Sequence, residues 1–278
     1  MNTPLILVTG ATGKSGSRVV ARLRALGTPV RAASRTGEHP FDWTDSSTWD
    51  AALDGVRGLY LVQLNGSRLV RPFLDRALRH GVRRVVLASG RGLDDPDFIK
   101  GSGAVREAAL DSEAAVRDSG LEWTIIRPGW LAQVFTEGIY ADAVRAGELR
   151  LSAGDGAAGF LDADDVAAVV VAALTADGHT GQTYELSGPS AVTLTEVATT
   201  LSETIGRTVR YVPLSRREYI TELVEQGVPA TDAEAFANVA ESLSLGKDAY
   251  VSDGVRRALG RAPRTFAEAI QEVRPFDS

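Results

Sequence analysis

The chain has 278 residues, 44% of them hydrophobic, which suits one large α/β domain or a cofactor domain joined to a smaller lobe. A formal net charge of −6 and the lack of a long basic run argue against nucleic acid as the main partner. Because the chain has no cysteine, disulfides, thiolate metal sites and cysteine nucleophiles are excluded.

Metal and membrane sites are not expected either. His39, His80 and His179 are too scattered to form a metal site. The longest apolar stretch, Val166 to Leu174, is far too short to cross a bilayer. The chain begins at once with an apolar strand, so we expect no signal peptide. These features predict a soluble, cytoplasmic protein that binds neither membrane nor nucleic acid. The sequence does not give its oligomeric state, for which a monomer or a homodimer is the expectation.

The first element is an apolar run, Leu5 to Val8, followed by a glycine-rich turn and a helix with one apolar face. In this arrangement the first glycine permits a tight turn, the second lets backbone approach a pyrophosphate, and the third lets the helix pack closely. The helix N-terminus adds unpaired N–H groups and a partial positive charge. Although a strand-to-helix turn without a ligand is the alternative, three glycines at this spacing predict a dinucleotide site at Gly10, Thr12, Gly13, Lys14, Ser15 and Gly16.

Strands and helices then alternate as far as residue 128. Strands are predicted at Val30–Ala33, Gly58–Val62, Arg84–Ala88 and Glu122–Ile126, and helices at Ser46–Leu53, Leu69–His80 and Ala104–Ser119. The alternation predicts an α/β, Rossmann-type, doubly wound parallel sheet with right-handed crossovers. Ser46 or Ser47 is the expected cap of the first of these helices.

From Gly129 onward the pattern changes. Trp130, Phe135 and Tyr140 are expected to be exposed, and short strands are expected at 160–162 and 183–186, around a helix over 164–176 capped by Asp164 or Asp165. Helices over 193–205, 215–226, 232–243 and 264–273 and one strand at 209–212 follow. We therefore expect an NAD(P)-binding Rossmann domain over residues 1–187, with 128–158 contributing to the substrate lobe. A smaller, mostly helical C-terminal substrate lobe is expected over 188–278.

The end of the second predicted strand, Ser34-Arg35, indicates which dinucleotide binds. A carboxylate at this place favours NAD, whereas an arginine suits the 2′-phosphate of NADP. We therefore expect NADP(H), with Ser34 adding a hydroxyl and Lys14 a second cation; a solvated Arg35 is the alternative. Asp42 is a candidate acceptor for the adenine amino group, with Trp43 either shielding it or simply buried.

Several motifs together resemble the NmrA-like, atypical branch of the short-chain dehydrogenase/reductase superfamily. They are Thr9–Gly16, Ser34-Arg35, Ser119–Pro128, Phe160–Ala167, Tyr184–Pro189 and Thr193–Ala198, in the same order and over nearly the whole chain. The resemblance implies an NADP-binding Rossmann domain and a substrate cleft between two lobes. The branch includes NAD(P)H:quinone oxidoreductases, secondary-metabolite reductases and redox-sensing regulators that lack catalysis.

One part of the superfamily's usual machinery is missing. Active members usually carry Tyr-x-x-x-Lys on the helix before the 122–126 strand, where the tyrosine protonates an alkoxide. This chain has neither residue type between Ser102 and Gly120, and Ala109 stands four residues before Glu113. Reduction of a quinone or an extended enone gives a phenolate or an enolate instead. Since a phenol has a pKa of about 10, water can supply that proton.

The sequence therefore predicts an NADPH-dependent oxidoreductase that transfers hydride to a quinone-like or conjugated aromatic or polyketide acceptor. The abundance of Ala, Arg and Gly indicates a high-GC bacterial coding sequence, which suits a role in secondary metabolism. The first alternative is a non-catalytic NADP(H)-sensing regulator that binds a protein partner. The second is another task on the same fold, such as epimerisation or benzylic ether reduction, and ether reduction would need a lysine near position 109.

The remaining candidates follow strands whose ends face the nicotinamide. Ser89 is a candidate donor to a substrate oxygen, and Lys100 is a candidate to stabilise an anion. Trp130 and Phe135 are candidate walls for a small, hydrophobic aromatic substrate, although a core role fits them equally. The further candidate cofactor contacts are Gln63, Leu64, Ser89, Gly90 and Pro128.

Overall fold

The computed structural model describes residues 4–271, in which strands and helices alternate. The first elements are β1 (Leu5–Thr9), α1 (Lys14–Ala25), β2 (Val30–Ser34), β3 (His39–Pro40), α2 (Trp49–Leu53), β4 (Val56–Val62), α3 (Val70–Arg79), β5 (Arg84–Ala88), α4 (Gly103–Asp118) and β6 (Glu122–Pro128). They are followed by α5 (Ala141–Ala146), β7 (Glu148–Leu151), β8 (Ala157–Ala158), α6 (Ala163–Thr175), β9 (Gln182–Leu186), β10 (Val192–Thr193), α7 (Leu194–Ile205), β11 (Arg210–Pro213), α8 (Arg216–Glu225), α9 (Ala230–Ser244), α10 (Gly254–Leu259) and α11 (Phe266–Ile270).

A seven-stranded sheet of order β3-β2-β1-β4-β5-β6-β9 organises the larger part of the molecule, and its paired strands are parallel. Side chains alternate between its two faces, as period-two strands require. Ile6 and Val8 of β1 pack with α1 and α6, whereas Leu7 packs with α2, α3 and α4 on the other face. The predicted doubly wound Rossmann sheet is thus confirmed.

The strand order places a crevice next to the glycine loop. β1 lies between β2 and β4, so the chain leaves β1 in one direction and later returns to its other side. In open parallel sheets, ligands bind beyond the carboxyl ends of strands at such a switch point. Gly10 follows β1, Arg35 follows β2 and Gln63 follows β4, so all three positions lie at this edge.

A second, mainly helical part is built on its own core and is stabilised by aromatic packing. Phe135 stacks on Tyr140 at a centroid distance of 5.6 Å and meets Phe160 edge-on at 5.2 Å. Phe266 of α11 closes the same cluster against Phe135 at 5.9 Å. The expected helical C-terminal portion is confirmed. None of the helices within residues 4–271 is both long and apolar enough to cross a membrane.

Several local expectations from the sequence are wrong. Residues 160–162 form no strand, because only Leu161 makes an isolated bridge, to Leu131. Asp162, rather than Asp164 or Asp165, caps α6 by accepting from the Asp164 N–H at 2.8 Å. The turn before α2 is a 3₁₀ helix over 46–48, and its cap is Asp45 instead of either serine.

Candidate functional site

The loop after β1 folds as a tight cradle that requires glycine at two places. Gly10 has φ +64°, a conformation that favours glycine. A Cβ on Gly16 would lie 2.2 Å from the carbonyl oxygen of Gly10, so any side chain there would force α1 away from the loop. Of the atoms in residues 4–271, a Cβ on Gly13 would meet only that same oxygen, at 3.3 Å, so the surface above Gly13 is open. The loop therefore has the close packing and the exposed backbone that suit a diphosphate.

The N-terminus of α1 directly follows the glycine loop. Gly13 is its N-cap, and no side chain among the described residues, 4–271, caps the first turn. The first N–H groups of the helix are thus available to an anion, as the sequence predicts. Thr12 is exposed and Lys14 half-buried. The Ser15 hydroxyl accepts from Tyr60 Oη at 3.1 Å, which orients it at the helix start.

The end of β2 presents a hydroxyl and a cation. Ser34 is buried, and its Oγ has no hydrogen-bond partner among residues 4–271. Because an unpaired buried hydroxyl is costly, a ligand atom at this place would satisfy it. Arg35 is exposed beside it. Asp42 Oδ1 already accepts from the Thr44 N–H and hydroxyl, both at 2.8 Å, and these bonds lower the pKa of Asp42.

The ends of β4 and β6 complete the edge. Gln63 Oε1 is buried without a partner in the part of the chain that the structure describes, which gives the cleft a second unsatisfied polar atom. Leu64 is 42% exposed and Pro128 is half-buried. Trp43 donates from Nε1 to the Val62 carbonyl at 3.0 Å and packs edge-on against Phe73. With the open Gly13 cradle and the free Ser34 hydroxyl, these groups fit a bound dinucleotide.

A cavity of about 280 Å³ continues the cleft beyond β5. Ser89 and Gly90 line it, and a Cβ on Gly90 would have no neighbour within 4 Å among residues 4–271. Ala109 of α4 also lines the cavity, at the position where the tyrosine usual in the superfamily is missing. The cavity is lined mostly by apolar atoms, a surface that suits a small flat molecule.

The structure changes the expectation for Ser89. Its hydroxyl donates to Glu113 Oε1 at 2.7 Å, so its hydrogen is not directed at a substrate oxygen as predicted. Glu113 is fully buried. Since a hydroxyl has one hydrogen and two lone pairs, Ser89 in this arrangement offers the cavity an acceptor only. The sequence missed this contact because 24 residues separate the partners.

Two arginines balance the buried Glu113 carboxylate. Arg127 donates from Nε to Oε1 and from Nη2 to Oε2, both at 2.8 Å, and Arg117 donates to Oε2 at 2.8 Å. Burial alone would raise the pKa of Glu113, but the hydrogen bonds from Arg127 and Ser89 outweigh it and lower that pKa. Arg127 also pairs with Asp94 at 2.6 Å. This network connects α4 to the ends of β5 and β6.

Two other candidates lie away from the cavity. Lys100 is exposed and lines a separate depression beside α9, so the structure does not bring it to Ser89. Phe135 is 1% exposed and belongs to the aromatic core, which overturns the expected substrate wall there. Tyr140 is likewise buried, contrary to its expected exposure. Trp130 is half-buried and packs on Phe160 at 6.4 Å, so it borders that core.

Arg91 is the cation that sequence reasoning missed. It lines the cavity, and its Nη1 lies 3.4 Å from where a Cβ of Gly129 would stand, next to the end of β6. The guanidinium lies 4.9 Å over the Tyr250 ring and donates to the Tyr250 carbonyl. Burial lowers the pKa of Arg91, while Asp248 and Glu185 act in the opposite direction. The sequence signal that could have identified Arg91 is its position directly after Ser89-Gly90, at the end of a strand that faces the nicotinamide.

Within residues 4–271, no group of three or more histidine, cysteine or acidic residues could hold a metal ion. The family described as NAD(P)H-binding matches residues 10–177, more than half of the chain. The match starts at Gly10, the first glycine of the cradle.

Similar proteins match this chain over nearly its full length, and their names also describe enzymes that reduce a substrate. A (4-alkanoyl-5-oxo-2,5-dihydrofuran-3-yl)methyl phosphate reductase from Streptomyces griseus is 35% identical, over 95% of this chain and 96% of that protein. An NAD(P)H azoreductase from Xenophilus azovorans is 31% identical, over 95% of this chain and 96% of that protein. The crystal structure of an NADPH-dependent quinone oxidoreductase from Escherichia coli is 26% identical, with a TM-score of 0.75 over 95% of this chain and 98% of that one.

These findings confirm the resemblance to the atypical short-chain dehydrogenase/reductase branch that includes NAD(P)H:quinone oxidoreductases. The glycine cradle, the strand order and the similar proteins all indicate a protein that binds NAD(P)H. The chain belongs to the NAD(P)H-binding family and is an NAD(P)H-dependent oxidoreductase.

Proposed function

We propose that this protein reduces a quinone-like or conjugated aromatic or polyketide acceptor with NADPH. The observation that carries the proposal is the largely apolar cavity beyond β5, which lies beside the candidate cofactor edge and has Arg91 in its wall. NADPH supplies the hydride when bound. The chain's own residues hold the cofactor, place the acceptor and stabilise the charge that forms on it.

The choice of NADPH rests on the end of β2. Arg35 is exposed there, beside the unpaired Ser34 hydroxyl, and a 2′-phosphate would accept from both. Gln63 and the N-terminus of α1 would hold other polar parts of the dinucleotide. This assignment extends the sequence prediction for Arg35, Ser34 and Lys14.

Arg91 stabilises the negative charge that forms on the acceptor oxygen, a role that does not need a tyrosine. Hydride addition to a quinone or an enone leaves negative charge on oxygen, and a half-buried guanidinium stabilises that charge more strongly than water does. Arg91 cannot act as the acid, since an arginine stays protonated. The proton therefore comes from water, which suits a phenolate or enolate but not a strongly basic alkoxide. Ala109 leaves room for the acceptor where a larger side chain would otherwise stand.

The similar proteins point to acceptors of this kind. Their names describe a quinone, an azo compound and a furanone whose ring double bond is conjugated with a carbonyl. All three are named as reducing enzymes, so we favour catalysis over the regulator that the sequence left open. The common property of these acceptors is an extended π system that spreads the added charge.

The test follows NADPH oxidation with a panel of quinones, enones and one isolated ketone. We expect turnover with the conjugated acceptors and none with the ketone. Arg91→Gln should lower kcat about tenfold to a hundredfold with an unchanged Kd for NADPH. Arg79→Gln, an exposed change at the far end of α3, is the matched control. Tight NADPH binding without turnover on any acceptor would refute the proposal.

A second variant tests the cofactor assignment separately. Arg35→Ala should weaken NADPH about tenfold to a hundredfold, the worth of a charge-assisted contact, and leave NADH unchanged. An equal loss for both nucleotides would show that Arg35 does not contact the 2′-phosphate. Calorimetric titration of each nucleotide measures both values without any acceptor present.

A further inference from the structure

The helical lobe contains a second cavity, of about 550 Å³, between α5, α8 and α9. This volume lies within the range of small-molecule sites. Its apolar wall includes Ile139, Ala143, Leu223 and Phe236. It shares no lining residue with the cavity beside Ser89, so the two are distinct sites.

Two phenol groups meet in the wall of this second cavity. Tyr140 is 7% exposed and Tyr219 is 3% exposed, and their hydroxyl oxygens lie 3.4 Å apart. Each hydroxyl has one hydrogen, and only one of the two hydrogens can occupy the space between the oxygens. The other hydrogen has no acceptor within the part of the chain that the structure describes, and a buried donor without an acceptor is costly. The pair thus offers one hydrogen-bond donor to a molecule in the cavity.

The charged groups at the cavity do not favour an anion. Arg150 makes a double contact with Glu222, at 2.6 and 3.0 Å, and a further contact with Glu148 at 3.2 Å. One positive and two negative charges leave the group with a net charge of −1. A neutral ligand is therefore favoured over a carboxylate, a sulfonate or a phosphate.

We propose that the cavity between α5, α8 and α9 binds a neutral, largely apolar molecule whose carbonyl or ether oxygen accepts a hydrogen bond from the Tyr140–Tyr219 pair. This site is separate from the proposed reduction and does not depend on it. Tyr140 also stacks on Phe135, so an occupant of this cavity would contact the aromatic core that Trp130 borders.

The test titrates the full chain with prodan, a neutral naphthyl ketone whose emission shifts to the blue on burial. We expect saturable one-to-one binding that excess NADP⁺ does not displace. The naphthyl sulfonate dye ANS has similar rings but a negative charge, and we expect it to bind at least tenfold more weakly. No saturable binding of prodan, its displacement by NADP⁺, or equal binding of both dyes would overturn the proposal.

Two variants locate the bound dye. Ala143→Phe fills the cavity and should weaken prodan binding at least tenfold, whereas Ala235→Phe, on the exposed side of α9, should leave it unchanged. The double change Tyr140→Phe, Tyr219→Phe removes the donor and should weaken binding about fivefold, equivalent to about 1 kcal/mol. Circular dichroism and NADPH binding confirm that each variant is folded. Unchanged prodan binding in folded Ala143→Phe would place the dye elsewhere and refute the site.

Discussion

Replacing Glu113 by glutamine tests the buried network that connects α4 to the strand ends. The substitution keeps the shape but turns one acceptor oxygen into an NH₂ group that opposes the donors of Arg127 and Arg117. Removing one partner of a buried ion pair costs about 3–5 kcal/mol. Because Arg127 keeps its contact with Asp94, we expect the lower end, about 3 kcal/mol. For a chain of this size that corresponds to a fall in Tm of about 6–12 °C.

The same substitution has a predictable pH dependence. The folded-state pKa of Glu113 is lowered, so the carboxylate stabilises the fold fully above its unfolded pKa of about 4.3. That stabilisation is lost as the pH falls through the folded pKa. The difference in unfolding free energy between the parent and Glu113→Gln should therefore be full at neutral pH and shrink below about pH 4.

Urea unfolding monitored by circular dichroism at several pH values measures both effects. Glu107→Gln on the same helix is the control, because Glu107 is exposed and lies 3.5 Å from the equally exposed Arg68. Such surface pairs contribute less than about 1 kcal/mol. A loss below about 1 kcal/mol for Glu113→Gln, or one equal to that of Glu107→Gln, would refute the argument.

Two further predictions concern the cradle and the cap of α6. Gly16→Ala places a methyl group 2.2 Å from the Gly10 carbonyl oxygen, so this variant should have a lower Tm and should not bind NADPH. Gly13→Ala should keep its Tm within a few degrees of the parent and should weaken only NADPH binding. Thermal melts measure Tm and calorimetry measures NADPH binding; equal melting temperatures for the two variants would contradict the packing argument. Asp162→Ala removes the cap of α6 and the carboxylate that pairs with Arg264 at 3.1 Å. The free energy of unfolding, measured by urea denaturation, should therefore fall by about 2–4 kcal/mol. A fall of less than about 1 kcal/mol would show that Asp162 acts as a cap alone.

The sequence was sufficient for the sheet because its signals are local. The run before Gly10 is apolar, the following helix has a 3.6-residue period, and both features lie within about twenty residues of each other. The strand ends that carry Ser34, Gln63 and Ser89 follow from the same alternation. Their assignment to a dinucleotide stays a prediction at the level of single residues.

The contacts that define the site chemistry are long-range, and the sequence does not contain them in readable form. The Ser89 hydroxyl donates its hydrogen to Glu113, which lies on α4. Arg91 is held in the cavity wall by its contact with Tyr250, 159 residues later in the chain. Phe135 lies in a segment that the sequence predicts as a loop and a helix with exposed aromatic side chains. Its burial depends on Phe160 and Phe266, which the sequence alone could not bring together.

Helix α10 closes one side of the parallel sheet. Gly254 begins it, and a Cβ there would lie 1.9 Å from the Glu185 carbonyl of β9, so the helix rests directly on the outermost strand. The Ser252 hydroxyl donates to the same carbonyl at 2.8 Å. A fragment cut after residue 187 would leave the free side of β9 uncovered, and uncovered strands recruit other chains. Truncation at that point would therefore yield an aggregating product in place of an isolated nucleotide-binding module.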